Sequence, residues 1–158
     1  MSQLPSVGDV VAPIFGSVPE EQRPLLVALA EKIAAGRYRG WVEQASETDR
    51  ERLLACAERE EEIARRVESL YPDAAAVQAD LLAKHPDIER AYQDLFRGHP
   101  VEDQYAIQAG GERLGAATWR AFAASTEREE ARRVFLGCAE LEEASAAVLE
   151  ALVGAARA

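Results

Sequence analysis

A nine-residue pattern occurs twice in this chain, 82 residues apart (position 56 to position 138): Cys56-Ala57-Glu58-Arg59-Glu60-Glu61-Glu62-Ile63-Ala64 returns as Cys138-Ala139-Glu140-Leu141-Glu142-Glu143-Ala144-Ser145-Ala146. Both copies have the apolar spacing of an amphipathic helix, and each sets one glutamate in the middle of the apolar arc. A buried carboxylate is costly unless something compensates it. The same cost, met twice in register, indicates that the two glutamates serve one site. A repeat on this scale also constrains the fold, because two like helix pairs pack pseudo-symmetrically.

The rest of the chain agrees with that reading. Its 158 residues suffice for one compact domain with a core. Good helix formers dominate and aromatic residues are sparse (6 %), which favours an all-α protein. The net charge of −10 argues against nucleic acid as a partner, since phosphate binding needs a basic surface. No apolar run reaches the length of a membrane span, and the first residues lack the pattern of a secretory leader. A soluble, cytoplasmic protein with no membrane partner is expected. Cys56 and Cys138 are the only cysteines, too few for a disulfide framework. The two histidines, His85 and His99, each precede a proline and are expected in turns rather than in a site.

Residues 1–17 carry Pro5, Gly8, Pro13 and Gly16 among scattered apolar residues, and an extended arm packed through Val10, Val11, Ile14 and Phe15 is expected there. Residues 18–158 then form the helical domain. Ser17 and Glu20 have the spacing of a capping box, with Pro24 in the first turn of a long helix running to about Gln44. Cap-forming residues from Ser46 to Asp49 break that helix. A second helix is predicted from about Thr48 to Leu70, then two short ones, Ala74 to Lys84 and Pro86 to Phe96. Two more long helices follow, about Val101 to Ala124 and about Glu127 to Leu152. The order is hairpin, long connection, hairpin, which gives a bundle of four long helices.

At about 100° per residue the buried arcs can be located. Glu60 shares an arc with Leu53, Cys56, Ile63 and Val67, whereas Glu58 and Glu62 fall outside it and Glu61 lies at its edge. Glu142 shares one with Phe135, Cys138, Ala146 and Leu149. On the first long helix Glu31 falls among Val27, Ala34, Tyr38 and Trp41, and on the third Glu112 falls among Gly115, Ala116, Trp119 and Ala123. Each of these two has an aromatic residue seven positions on, Tyr38 and Trp119. Four helices therefore each send one glutamate inward. Four close carboxylates cannot all remain ionised without protons or a cation, and a divalent metal pair resolves the conflict. The alternatives are protonated carboxyls, or pairing with Arg37, Arg113 or Arg120. The aromatic residues are read as core fillers, and the cysteines as small buried apolar residues.

The pattern resembles the ferritin-like superfamily and, within it, the rubrerythrin-type proteins. Those carry a glutamate with a tyrosine seven residues later on the first helix, then Ala-x-x-Glu-x-x-His-Ala on the second, with a second hairpin repeating the scheme. Glu31 with Tyr38 and Ala57-x-x-Glu60-x-x-Ile63-Ala64 match the first hairpin; Glu112 with Trp119 and Ala139-x-x-Glu142-x-x-Ser145-Ala146 match the second. The likeness covers about residues 25–152. It implies a ferritin-like four-helix bundle and a non-haem di-metal site, of iron or another divalent metal, on Glu31, Glu60, Glu112 and Glu142. The implied activity is oxidase, peroxidase or iron handling. Ile63 and Ser145 replace the family's two histidines, and Gly115 replaces a further carboxylate. With the second and fourth helices antiparallel, Cys56 stands at about the height of Ser145 and Cys138 at that of Ile63. A thiolate could thus substitute for each imidazole, and the sulfurs lie too far apart for a disulfide. Glu61 and Glu143 are further candidate ligands. The other reading is a metal-free bundle acting as a binding or assembly module. A second apolar stripe on the first helix, Leu25, Leu26, Leu29 and Ile33, calls for cover by the N-terminal arm or a second copy, and a homodimer is the expected assembly.

Overall fold

A computed structural model describes residues 3–158. Seven α-helices and one 3-10 turn are found among the described residues, with no strand: α1 (Gly8–Phe15), the 3-10 turn (Glu20–Gln22), α2 (Arg23–Val42), α3 (Glu47–Glu68), α4 (Ala74–Lys84), α5 (Ile88–Phe96), α6 (Val101–Ser125) and α7 (Glu129–Arg157). The four long helices begin and end close to the expected boundaries. Ser46 caps α3 by accepting from the Asp49 amide, and Pro24 occupies the first turn of α2. No described helix is long and apolar enough to cross a membrane.

α2 packs along α3 and α6 along α7, and the two hairpins meet mainly through α3 and α7. By contrast, α2 and α6 make little direct contact. The core falls into two halves. One gathers Val27, Ile63, Val67, Trp119, Phe135 and Cys138; the other gathers Tyr38, Trp41, Leu53, Cys56, Ile107 and Leu149. Residues from both ends of every long helix are thereby sorted into the two halves. The arrangement runs α3 antiparallel to α7 and α2 antiparallel to α6. Glu31, Glu60, Glu112 and Glu142 lie on these helices between the two apolar halves, and all four are buried.

The connection α4–α5 lies on the outer face of α2. Leu81, Ile88 and Tyr92 cover Leu26 and Leu29 there, and Val10, Val11, Ile14 and Phe15 pack against the same cluster. The second apolar stripe of α2 is therefore covered from within the chain, which removes the ground on which a second copy was expected over it.

Residues 3–17 do not form an extended arm. Val7, Val10, Val11, Ile14 and Phe15 have the i, i+3, i+4, i+7, i+8 spacing of one helical face, and the segment folds as α1 despite Pro13. Its start carries a reciprocal cap, with Ser6 N–H donating to Asp9 and Gly8 N–H to Ser6 Oγ. Residues 1 and 2 of the expected arm lie outside the described residues. Ser17 does not cap α2. Its hydroxyl donates to Ile14 O at 2.7 Å and closes α1, while Pro19 keeps an extended backbone and the 3-10 turn intervenes. His85 ends α4 and His99 lies in the turn before α6, and neither joins the cluster of close carboxylates found among the described residues.

Candidate metal centre

Carboxylate oxygens of Glu31, Glu60 and Glu142 lie within 4.8 Å of one another, drawn from α2, α3 and α7. Glu112, on α6, stands beside them, close enough to act electrostatically on Glu60 and Glu142. The periodicity of each helix brings its glutamate into this layer, because each sits one helical turn or less from fully buried neighbours on the same arc.

The cluster is under-partnered. Both oxygens of Glu60 are buried without a hydrogen bond, as are Glu112 Oε2, Glu142 Oε2 and the hydroxyl of Ser145. Burial pushes the Glu60 carboxyl well above its ordinary value, with the charges of Glu112 and Glu31 adding to the effect. Burial, then Glu31 and Glu60, do the same to Glu142. Glu31 is raised chiefly by burial. Among the described residues, no arginine forms an ion pair with these groups. Arg113 pairs with Glu150 and Arg120 with Glu143, both towards solvent, and Arg37 donates to Gln108.

The inner oxygens that do have partners are held by specific donors. Tyr38 OH donates to Glu112 Oε1 at 2.6 Å, and Gln108 Nε2 donates to the same oxygen at 2.7 Å. Gln108 Oε1 in turn accepts from Arg37 Nη1 at 2.7 Å, so the amide orientation follows from an arginine that can only donate. Trp119 Nε1 donates to Glu142 Oε1 at 2.9 Å. Tyr38 and Trp119, expected as core fillers, are thus positioning residues. Gln108 was not singled out from the sequence. The signal was a polar residue one turn before Glu112 on a buried face.

Gly115 explains itself in this geometry. A Cβ there would overlap Glu142 Oε1 and lie 2.8 Å from its carboxyl carbon. The position where the family likeness implied a carboxylate on α6 is filled by the head of Glu142 reaching across from α7.

The four expected auxiliary ligands, Glu61, Glu143, Cys56 and Cys138, are not brought into the carboxylate cluster found among the described residues. Glu61 and Glu143 turn outward, where each pairs with an arginine of the neighbouring helix, Arg39 at 2.7 Å and Arg120 at 2.6 Å. Neither cysteine joins the cluster of mutually close ligand atoms found among the described residues. Cys56 accepts from Arg59 Nη1 at 3.5 Å, and burial raises its thiol; burial pushes the Cys138 thiol up to about 12. Both are therefore thiols at neutral pH, not thiolates.

The donors fit a hard divalent cation. They are all carboxylate oxygens, several lack any other partner, and Ile63 and Ser145 supply no nitrogen. Oxygen-only sets suit magnesium, calcium or manganese better than softer metals.

A cavity of about 470 Å³ opens onto this layer where α2 and α6 stand apart. α1 contributes to its wall, and Val7 and Val11 line it together with Glu31, Glu112 and Glu142. α1 fits closely: a Cβ on Gly111 would lie 2.9 Å from Val7 Cγ2, and Arg23 Nε ties the end of α1 by donating to Phe15 O at 3.1 Å. In comparisons with protein-family models, curated proteins and solved structures, nothing matches this chain.

Proposed function

We propose that this chain is a non-haem metal protein of the ferritin-like type, holding one or two divalent cations on Glu31, Glu60, Glu112 and Glu142. One observation carries the reading: Glu60 has two fully buried carboxylate oxygens and no hydrogen-bond donor for either. A cation satisfies both at once, together with the orphaned oxygens of Glu112 and Glu142. Bound iron or manganese would supply redox chemistry toward oxygen or peroxide, or would itself be the cargo. The chain's own part is to position the donors. Tyr38 and Gln108 fix one oxygen of Glu112, Trp119 fixes one of Glu142, and in each case the second oxygen is left free for a cation. Gly115 leaves room for Glu142 to reach the centre.

A second reading keeps the ferritin-like bundle without metal, as a binding or assembly module. Ile63 and Ser145, at the two positions where the family likeness implies histidine, support it. Elemental analysis separates the two. Protein incubated with ferrous iron or manganese and desalted should keep about one ion or more per chain. Retention below about a tenth of an ion per chain rejects the metal reading, given that structural and catalytic sites bind stoichiometrically.

A further inference from the structure

We propose that the cavity beneath α1 is a binding site for a medium-chain aliphatic carboxylate, with its head group on Arg37 and Tyr92 and its chain running under α1. The volume, about 470 Å³, falls in the range of small-molecule sites, about 300–1,000 Å³. On the α6 side its lining extends from Gln108 to Thr118, about 15 Å at the rise of an α-helix. That length accommodates an extended chain. Val11, Phe15, Val27, Ala30 and Leu114 supply an apolar wall.

One end carries unused donors. Tyr92 lines the cavity, and its hydroxyl, buried behind that wall, has no hydrogen-bond partner. Arg37 lines the same end and lies over the Phe96 ring at 3.8 Å; its one side-chain hydrogen bond is to Gln108. A guanidinium with free N–H groups beside an unpartnered phenol matches the two oxygens of a single carboxylate. The lining holds two cations, but Arg23 is engaged by the carbonyls of Phe15 and Val18 and by the Phe15 ring, fourteen residues before Arg37 on α2. The head-group end therefore offers one positive charge, which suits a carboxylate better than a phosphate. Arg37 stands about 9 Å along α2 from Glu31 and is linked through Gln108 to Glu112, so the head group sits at the edge of the carboxylate layer and the chain passes over Glu31, Glu112 and Glu142. Entry is past α1. α1 contains no fully buried residue, so it is held by fewer apolar contacts than any long helix.

Binding rests on the cavity alone; only the role of the ligand as a substrate depends on the metal reading. The test is calorimetric titration of decanoate into the full chain, metal-free and manganese-loaded, with metal content measured separately. Saturable one-to-one binding is expected in the metal-free and the manganese-loaded protein alike. It should weaken by about tenfold or more in Tyr92→Phe and in Arg37→Met. Val11→Trp, which fills the space from α1 and touches neither donor, should also abolish it. Decanol should bind less tightly than decanoate. No saturable binding in either form overturns the inference, whatever the metal count. Equal binding by wild type and all three variants, or by decanol and decanoate, overturns it as well. Loss of metal binding with decanoate binding intact would reject the metal reading and leave the inference standing.

Discussion

Tyr38 and Glu112 join the two halves of the repeat: the tyrosine hydroxyl on α2 donates to the glutamate on α6 over 2.6 Å. Its counterpart Trp119 does not cross. The indole donates to Glu142 within its own hairpin. The pseudo-symmetry of the sequence is therefore broken at the centre, and this bond, with those from Arg37 to Gln108 and from Trp41 to Gln104, spans the side where α2 and α6 otherwise scarcely touch. Tyr38→Phe removes the only phenol at Glu112 and leaves Gln108 as its remaining donor. Unfolding in urea should show a loss of about 1–2 kcal/mol. An unchanged midpoint would show that the bond contributes nothing net.

Gly115→Ala should be harmful although alanine favours helix. The added methyl meets the Glu142 carboxyl and pushes it out of the layer. The expected cost is about 1–3 kcal/mol, with weaker retention of metal. Gly110→Ala is the control. It meets no atom within 4 Å, and it should be neutral or slightly stabilising.

Glu60→Leu distinguishes the two readings of function by opposite signs. In metal-free protein it replaces a buried carboxyl whose close polar neighbours are other carboxyls, Glu31 and Glu112, by an apolar side chain of similar length. Stability should stay the same or rise by up to about 4 kcal/mol. Metal retention should be lost. Destabilisation of the metal-free protein would mean that Glu60 has a structural partner after all.

Stability of the metal-free protein should fall as pH rises. Glu60 and Glu142 titrate above the ordinary value of 4.5 in the fold, because burial and neighbouring carboxylates disfavour their charge. The folded state then binds more protons than the unfolded chain above about pH 4.5, so its stability is greatest below that pH. It is lost progressively as pH rises through the folded-state values. Thermal melts between acid and neutral pH should show this slope, and Glu60→Gln with Glu142→Gln should flatten it. Metal should act in the opposite sense, binding more tightly as pH rises because protons must leave the ligands.

Local pattern determined the helices and their faces. The boundaries of α4 and the inward placing of Glu31, Glu60, Glu112 and Glu142 follow from the 3.6-residue period, which acts within each helix alone. The helical nature of α1 was also legible, in the spacing of Val7, Val10, Val11, Ile14 and Phe15, but Pro5 and Pro13 argued for an extended arm. Burial of that face against α2, α4 and α5 decided in favour of helix, and no local propensity contains that energy. The same holds for the partners within the site. Whether Tyr38 meets Glu112 or Glu60, whether Gly115 receives Glu142, and whether Tyr92 faces a cavity all depend on how far apart and at what rotation the helices stand. Those quantities are set by packing between residues distant in the chain. The repeat identified which carboxylates turn inward; only the tertiary structure decided which of their oxygens are left without a partner.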